Sequence, residues 1–423
     1  MLMRKSSITY FNEDLVKDSL TNTLQVLFEV TDQCNLNCTY CGYGSLYSNH
    51  DQRENKMLSF DKAKPVIDYM NDLWSSYYNK SYFKNVSIGF YGGEPLLNMK
   101  FITAIVEYVK KMNCPTRQFT FSMTTNALLL HRYMDYVAAN KFNLLISLDG
   151  NKDHMFYRKD KSGRNSFNRI VKNIDLLKES YPEYFRNYVD FNAVLHNKNS
   201  VKEIYDFFKE KYNVIPRISG LGTVGIDEDK KEEFIRLFKN FNEDLFQSEN
   251  YEIIMKDMFF NIDIIKQIGI YLKQHSDFIY SDYNELLYGK QQYAEPAIPS
   301  GTCMPFSRKI YMTVNGKLLP CERIGQQFAL GSVDEKGVHI DFQSIADKYN
   351  AYYTKLDQQC KTCCNKKSCS LCIFNIKDID NNAICEEHTD AKNFELYKNA
   401  VLGFLSENPE EYERLIEGVS NLR

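Results

Sequence analysis

The sequence predicts an α/β protein: a series of β-then-α units, then a small cysteine-rich domain, then a helical tail. Three observations predict it. From residue 24 to about 220, short β-rich runs alternate with stretches whose apolar residues recur at helical spacing. Such alternation favours parallel strands joined by right-handed helical crossovers. The cysteines fall in two fields, three at 34–41 and eight between Cys303 and Cys385, with Cys114 alone between them. Residues 387–423 then return to an amphipathic helical pattern.

In order, strands are expected at Leu24–Val30, Val86–Tyr91, Phe119–Thr124, Asn143–Ser147, Tyr188–Val194 and Val214–Ser219. Helices are expected at Phe60–Tyr78, Lys100–Met112, Leu128–Ala139, Phe167–Ser180 and Val201–Lys211. In the last of these Val201, Ile204, Tyr205 and Phe208 share one face. Reactive groups of parallel barrels gather at the C-terminal ends of the strands, and Cys34 follows the first strand closely. Residues 227–300 are charged, aromatic and free of cysteine, with helical runs such as Glu232–Phe246. The turn-rich junction Glu295-Pro-Ala-Ile-Pro-Ser-Gly301 leads into the second cysteine field. The expected segments are an N-terminal extension (1–23), the β/α region (24–226), a helical bridge (227–300), the cysteine-rich domain (301–386) and terminal helices (387–423).

Bulk properties bound the function. A chain of 423 residues is long for a single core. Its 43% hydrophobic and 25% charged content is ordinary for a globular protein. A net charge of −3 leaves no basic footprint, so nucleic acid is not favoured as a partner. No apolar run approaches the roughly 18 residues of a membrane span, and the N-terminus lacks the apolar core of a signal peptide. A cytoplasmic location is expected, where twelve cysteines read as metal ligands or free thiols rather than disulfides.

Cys34-Asn-Leu-Asn-Cys38-Thr-Tyr40-Cys41 spaces its thiols as C-x-x-x-C-x-x-C. Three thiolates on one loop hold three irons of a 4Fe–4S cluster and leave the fourth iron for an outside ligand. A zinc site needs four ligands, and no His or further Cys lies in this loop. The run resembles the cluster motif of the radical S-adenosylmethionine (radical SAM) enzymes. That resemblance implies a partial (β/α)6 barrel whose open iron chelates SAM. It also implies reductive cleavage of SAM to a 5′-deoxyadenosyl radical that takes hydrogen from the substrate.

Further motifs follow in the order the family requires. Tyr91-Gly92-Gly93-Glu94-Pro95 is similar to the GGEP motif that contacts the SAM amino group, although Gly-Gly alone also makes a plain turn. Thr124 and Asn126 end the third strand, and Ser147 and Asp149 end the fourth. They suit a ribose or an amino-acid carboxylate, while Asn126 and Asp149 are equally good helix N-caps. The resemblance assigns Arg158 to the SAM carboxylate, which a guanidinium fork matches. It assigns Tyr40 and Leu195 to the adenine.

The second field, Cys303-x12-Gly316-x4-Cys321 followed by Cys360-x2-Cys363-x5-Cys369-x2-Cys372 and Cys385, resembles the SPASM extension of these enzymes. That module carries two auxiliary 4Fe–4S clusters, three in all with the first. Position by position, Cys360, Cys363, Cys369 and Cys385 would hold the outer cluster. Cys303, Cys321 and Cys372 would hold the inner one, with an open iron or with Cys364 as a further ligand. The spacing between Cys369 and Cys372 is one residue shorter than the family pattern. Zinc is the rival, since paired C-x-x-C motifs also make zinc ribbons. Glu322, next to Cys321, takes the place of an acidic proton acceptor in sulfatase-maturing relatives, and an ordinary surface glutamate fits that position equally.

The resemblance therefore implies a peptide maturase that crosslinks a ribosomally made precursor through a thioether or carbon–carbon bond. A flavodoxin or ferredoxin would supply electrons. Only 33 residues precede Cys34, so a separate leader-binding protein is one expected partner. The alternatives are a formylglycine-forming sulfatase-maturing enzyme and a non-catalytic scaffold.

Overall fold

Parallel strands, laid side by side in chain order, form the body of the molecule. The computed structural model describes residues 10–80, 85–258, 263–275, 287 and 301–421. The parallel set is β1 (Gln25–Thr31), β3 (Asn85–Gly92), β4 (Gln118–Thr125), β5 (Asn143–Ser147), β7 (Val189–Val194) and β8 (Arg217–Ser219). Two short strands, β2 (Leu36–Cys38) and β6 (Arg158–Asp160), make a separate antiparallel ribbon. The six parallel strands with their crossover helices are the expected partial (β/α)6 barrel.

The helices between them are α1 (Glu13–Thr21), α2 (Phe60–Trp74), α3 (Met99–Lys111), α4 (Met134–Ala139), α5 (Phe167–Ser180), α6 (Pro182–Tyr188) and α7 (Val201–Tyr212). In α2 the buried residues Ala63, Val66, Ile67, Met70, Leu73 and Trp74 keep the helical period, and Ser59 caps the start. α2 ends at Trp74 rather than Tyr78. Ser75 and Ser76 bond back to Asn71 and Leu73, and the Asn79 amide donates to the Trp74 carbonyl at 2.7 Å. The expected helix Leu128–Ala139 is a 3-10 turn, Leu130–Arg132, followed by α4. Likewise Glu232–Phe246 is two helices, Lys231–Leu237 and Phe241–Phe246, the second capped by Asn240.

The sheet does not stop at β1. β9 (Ile310–Met312) runs parallel to β1, and β10 (Lys317–Leu319), β11 (Gly331–Asp334) and β12 (Gly337–His339) continue antiparallel beyond it. β1 therefore has strands on both sides, and Val26–Thr31 are all buried. Such continuous burial is the mark of a central parallel strand.

The chain divides into two compact units, one comprising Asp14–Tyr251 and Met304–Phe342, the other Glu252–Cys303, Gln343–Arg423 and the stretch up to Glu13. The cysteine-rich segment 301–386 is thus shared between them. In the second unit the long helix Phe342–Thr362 holds the N-terminal stretch: Asn350 Oδ1 accepts from the Tyr10 and Phe11 amides, and Phe11 stacks on Tyr353. The tail is two helices, Ala391–Glu407 and Pro409–Asn421, broken where Pro409 cannot continue the first. The junction residues 295–300 lie outside the described residues.

Candidate active site

The cysteine loop leaves the C-terminal end of β1, the rim at which a parallel barrel does its chemistry. It is fixed by backbone first. Cys38 pairs with Arg158, and Leu36 with Asp160, across the β2–β6 ribbon. The Gly93 amide donates to Thr31 O at 2.8 Å and the Glu94 amide to Gln33 O at 2.9 Å. A Cβ on Gly93 would lie 2.1 Å from Gln33 O, and one on Gly92, at φ +124°, 2.4 Å from Thr31 O. Both glycines are therefore required by the close passage of the cysteine loop itself.

Glu94 is buried. Its carboxylate accepts from Leu96 N (3.1 Å), Thr125 Oγ1 (2.6 Å) and Asn126 N (2.8 Å). It staples the Gly-Gly turn to the end of β4, with Pro95 opening the short helix that follows. Burial pushes its carboxyl up to about 7 against those three hydrogen bonds. Asn126 reaches the cluster loop directly, donating to Asn35 Oδ1 at 2.7 Å and lying 3.7 Å from Cys34 Sγ. Thr124 and Ser147 stand half-buried at their strand ends, and Leu195 is fully buried with its amide bonded to Ser219 O.

Asp149 is the hub. Fully buried, it accepts from the Tyr40 hydroxyl and from Val194 N (3.0 Å), and it meets Arg158 Nε at 3.1 Å and His196 Nε2 at 3.7 Å. Burial works against its charge, but Arg158, then His196 and Tyr40, hold its carboxyl below the ordinary value. It caps no helix. Tyr40 sits between Arg158, whose guanidinium lies 5.5 Å from its ring centroid, and His196, stacked at 5.6 Å. His196 was not legible in advance; its only signal is its place just past the end of β7.

Arg158 is buried, not exposed, and its Nη1 lies 3.9 Å from Cys38 Sγ. Its Nε has no hydrogen bond of good geometry despite the nearby carboxylate, so the guanidinium retains capacity for an anionic group. Burial, then Glu94 and Cys41, pushes the Cys34 thiol up to about 11. Burial, with Cys41 and Cys34, pushes Cys38 up to about 12 against the pull of Arg158. Three mutually interacting thiols, with neither carboxylate nor imidazole among the loop's donors, fit an iron–sulfur cluster rather than a hard cation. No three His, Cys, Asp or Glu side chains already converge on a metal position among the described residues, so this fit rests on the donor set.

Glu322 follows β10, which returns antiparallel to β9, so it lies beyond the start of β9 rather than at the end of β1 that carries the cysteine loop. It is ion-paired with Lys309 at 2.8 Å and receives the Cys321 thiol at 3.7 Å. Burial works against its charge, but Lys309 and then Arg323 hold the carboxyl below its ordinary value. It is no free surface glutamate. Tyr91 faces both Glu322 and Cys41; burial, then these two, push its hydroxyl well above the usual value. Tyr43, two residues past Cys41, is half-buried against Arg53 (4.3 Å to the ring centroid), while Arg53 also pairs with buried Glu29 at 2.6 Å.

Of the second field, Cys360, Cys363, Cys369 and Cys385 share one neighbourhood: burial, then Cys385, Cys369 and Cys363, push Cys360 up to about 11. Cys372 is raised by burial and by Cys303. Ile373 N donates to Thr302 Oγ1 at 2.7 Å, which ties those two stretches together. Cys321, raised to about 11 by burial and Glu322, belongs to the other unit. Cys364 is exposed, and Cys114 is buried in a loop after α3 with its thiol 3.8 Å from Thr116 Oγ1.

An α/β barrel with a three-cysteine loop at its rim defines an enzyme class that works through a SAM-binding cluster. A family model described as the radical SAM superfamily matches residues 28–210, and the chain belongs to that superfamily. The cysteine-type anaerobic sulfatase-maturating enzyme of Clostridium novyi is 26% identical over 348 residues, 79% of this chain and 83% of that protein. The radical SAM cyclopropyl synthase TigE of Paramaledivibacter caminithermalis is 27% identical over 222 residues, 51% of this chain and 43% of TigE. The solved structure of native anSMEcpe with bound AdoMet covers 94% of this chain and 100% of its own, with TM-score 0.57 at 19% identity, a likeness of fold. No helix among the described residues is long and apolar enough to cross a membrane.

Proposed function

We propose that this chain oxidises a side chain of a peptide substrate, with Glu322 receiving the proton, and an auxiliary cluster the electron, that leave the substrate radical after hydrogen abstraction. Cys34, Cys38 and Cys41 would hold the SAM-binding cluster, which with SAM supplies the hydrogen-abstracting radical. Arg158 and the backbone around Gly92–Pro95 would hold the methionine end of SAM, with Thr124, Asn126 and Ser147 nearby. Tyr40 and Leu195 would bound the adenine. Asp149 acts behind them, orienting Tyr40 and Arg158. The outer auxiliary cluster falls to Cys360, Cys363, Cys369 and Cys385, the inner one to Cys303, Cys321 and Cys372.

The observation that carries this reading is the position of Glu322. It is a carboxylate kept ionised by Lys309, and Tyr91 interacts with both it and the cluster-loop thiol Cys41. An ionised carboxylate beside a substrate radical is a suitable proton acceptor. The first specific reading is a crosslinking maturase of a ribosomal precursor, as the motif similarity implies, served by an electron carrier and a separate leader-binding protein. The second is formylglycine formation, favoured by similarity to a sulfatase-maturating enzyme along most of both chains.

Incubating iron-loaded protein with SAM, reductant and each peptide class separates them. Loss of two hydrogens with sulfur retained and no aldehyde marks a crosslink, whereas an aldehyde that forms a hydrazone, with loss of sulfur and two hydrogens and gain of one oxygen from a cysteine or loss of two hydrogens from a serine, marks formylglycine. Glu322→Gln is expected to lower peptide product about 10²-fold while 5′-deoxyadenosine still forms. Equal loss of both products would remove Glu322 from the proton step.

A further inference from the structure

The β2–β6 ribbon has an outer face that the reaction described above does not use. Phe156, in the 3-10 turn His154–Tyr157 that leads into β6, is 46% exposed, although it is a large apolar residue next to the site. Lys159 Nζ lies 4.7 Å and Lys198 Nζ 5.6 Å from its ring centroid, from two different elements. Lys152, just before that turn, is exposed. The neighbouring acids are Asp153, which is exposed; Asp160, neutralised by Arg164 (3.2 Å) and Arg169 (2.7 Å); and Glu203, beside His154 (3.7 Å). On a chain of net charge −3, this is a local cationic surface around an aromatic.

Its place matters more than its charge. Lys159 pairs with Asn37, and the next residue pair is Arg158 with Cys38. The Thr39 amide bonds to the Tyr157 carbonyl at 3.3 Å. The outer ribbon surface is thus one residue along the chain from a cluster cysteine and joined to it by backbone hydrogen bonds. Redox encounters are small and transient, and charge complementarity raises their association rate.

We propose that Phe156, Lys159 and Lys198 form the docking site for a small acidic one-electron carrier protein. The inference rests on the radical SAM reading of Cys34, Cys38 and Cys41. In the step it serves, the carrier loses one electron and the cluster held by those cysteines gains it; no bond forms or breaks at the interface.

The test uses metal-loaded enzyme and a flavodoxin reduced to its hydroquinone. In the double variant Lys159→Glu with Lys198→Glu, flavodoxin affinity, measured by calorimetry, should fall at least about tenfold, and added salt should matter less than in the parent. The milder Lys159→Gln with Lys198→Gln pair should fall between the two. Formation of 5′-deoxyadenosine driven by dithionite, which needs no docking, should be unchanged in both. Unchanged flavodoxin affinity would overturn the proposal, as would an equal loss of the dithionite-driven reaction. If the parent protein itself makes no 5′-deoxyadenosine with dithionite, the underlying function fails instead. Weakened binding of the peptide substrate, with flavodoxin binding intact, would reassign the surface to the substrate.

Discussion

The two cysteine fields are built in opposite ways. The loop at Cys34–Cys41 is gripped by a β-ribbon, by two glycines that let backbones touch, and by the buried Asp149 with its several donors. The field at Cys360–Cys385 is carried on the end of a helix and on short 3-10 turns. One site is shaped by the polypeptide; the other leaves more of its shape to whatever metal it holds. Metal binding then becomes folding energy in the second field far more than in the first.

The sharpest way to break this contrast is hydrogen exchange on metal-free and metal-loaded protein. Amides across Cys360–Cys385 should lose nearly all protection without metal and regain it on loading, while Leu36–Cys38 and Arg158–Asp160 change little. Similar responses in both fields would erase the distinction. Next, Asp149→Asn leaves Arg158 buried without its counter-charge. It should destabilise the metal-free protein by about 3–5 kcal/mol in urea unfolding.

A pH effect sharpens the same side. Glu94 has an ordinary carboxyl value of 4.5 raised to about 7 by burial, so the folded state binds the extra proton between those values. Its contribution to stability is complete below about pH 4.5 and is lost as pH rises through about 7, a change of about 3 kcal/mol. Glu94→Gln should flatten that part of the stability profile of metal-free protein. The smallest effect is expected from Cys364→Ala, an exposed thiol whose loss should alter stability by no more than about 0.5 kcal/mol.

Much of this was legible from pattern. The strands of the barrel announce themselves through β-rich runs at regular spacing, and the observed strands fall within a few residues of where the runs lie. The cysteine spacing and Gly92-Gly93 found the rim. Two things were less legible. The extension of the sheet by β9–β12 depends on pairing between residues nearly 300 apart, such as Val26 with Ile310, and no local period encodes that. Asp149 and Asn126 read as ligand contacts or caps, because a strand-end carboxylate looks the same whether it meets a ligand or a buried arginine. Only three-dimensional packing brought Tyr40, Arg158 and His196 around one carboxylate.

The parallel pairing of β9 with β1 has a practical consequence. A fragment trimmed to the barrel alone, ending near residue 226, would present an uncovered row of amides and carbonyls along the very strand that feeds the cysteine loop. Such a bare margin recruits other chains. Fragments that treat the N-terminal half as an independent enzyme should therefore self-associate, and the segment 304–342 has to travel with it.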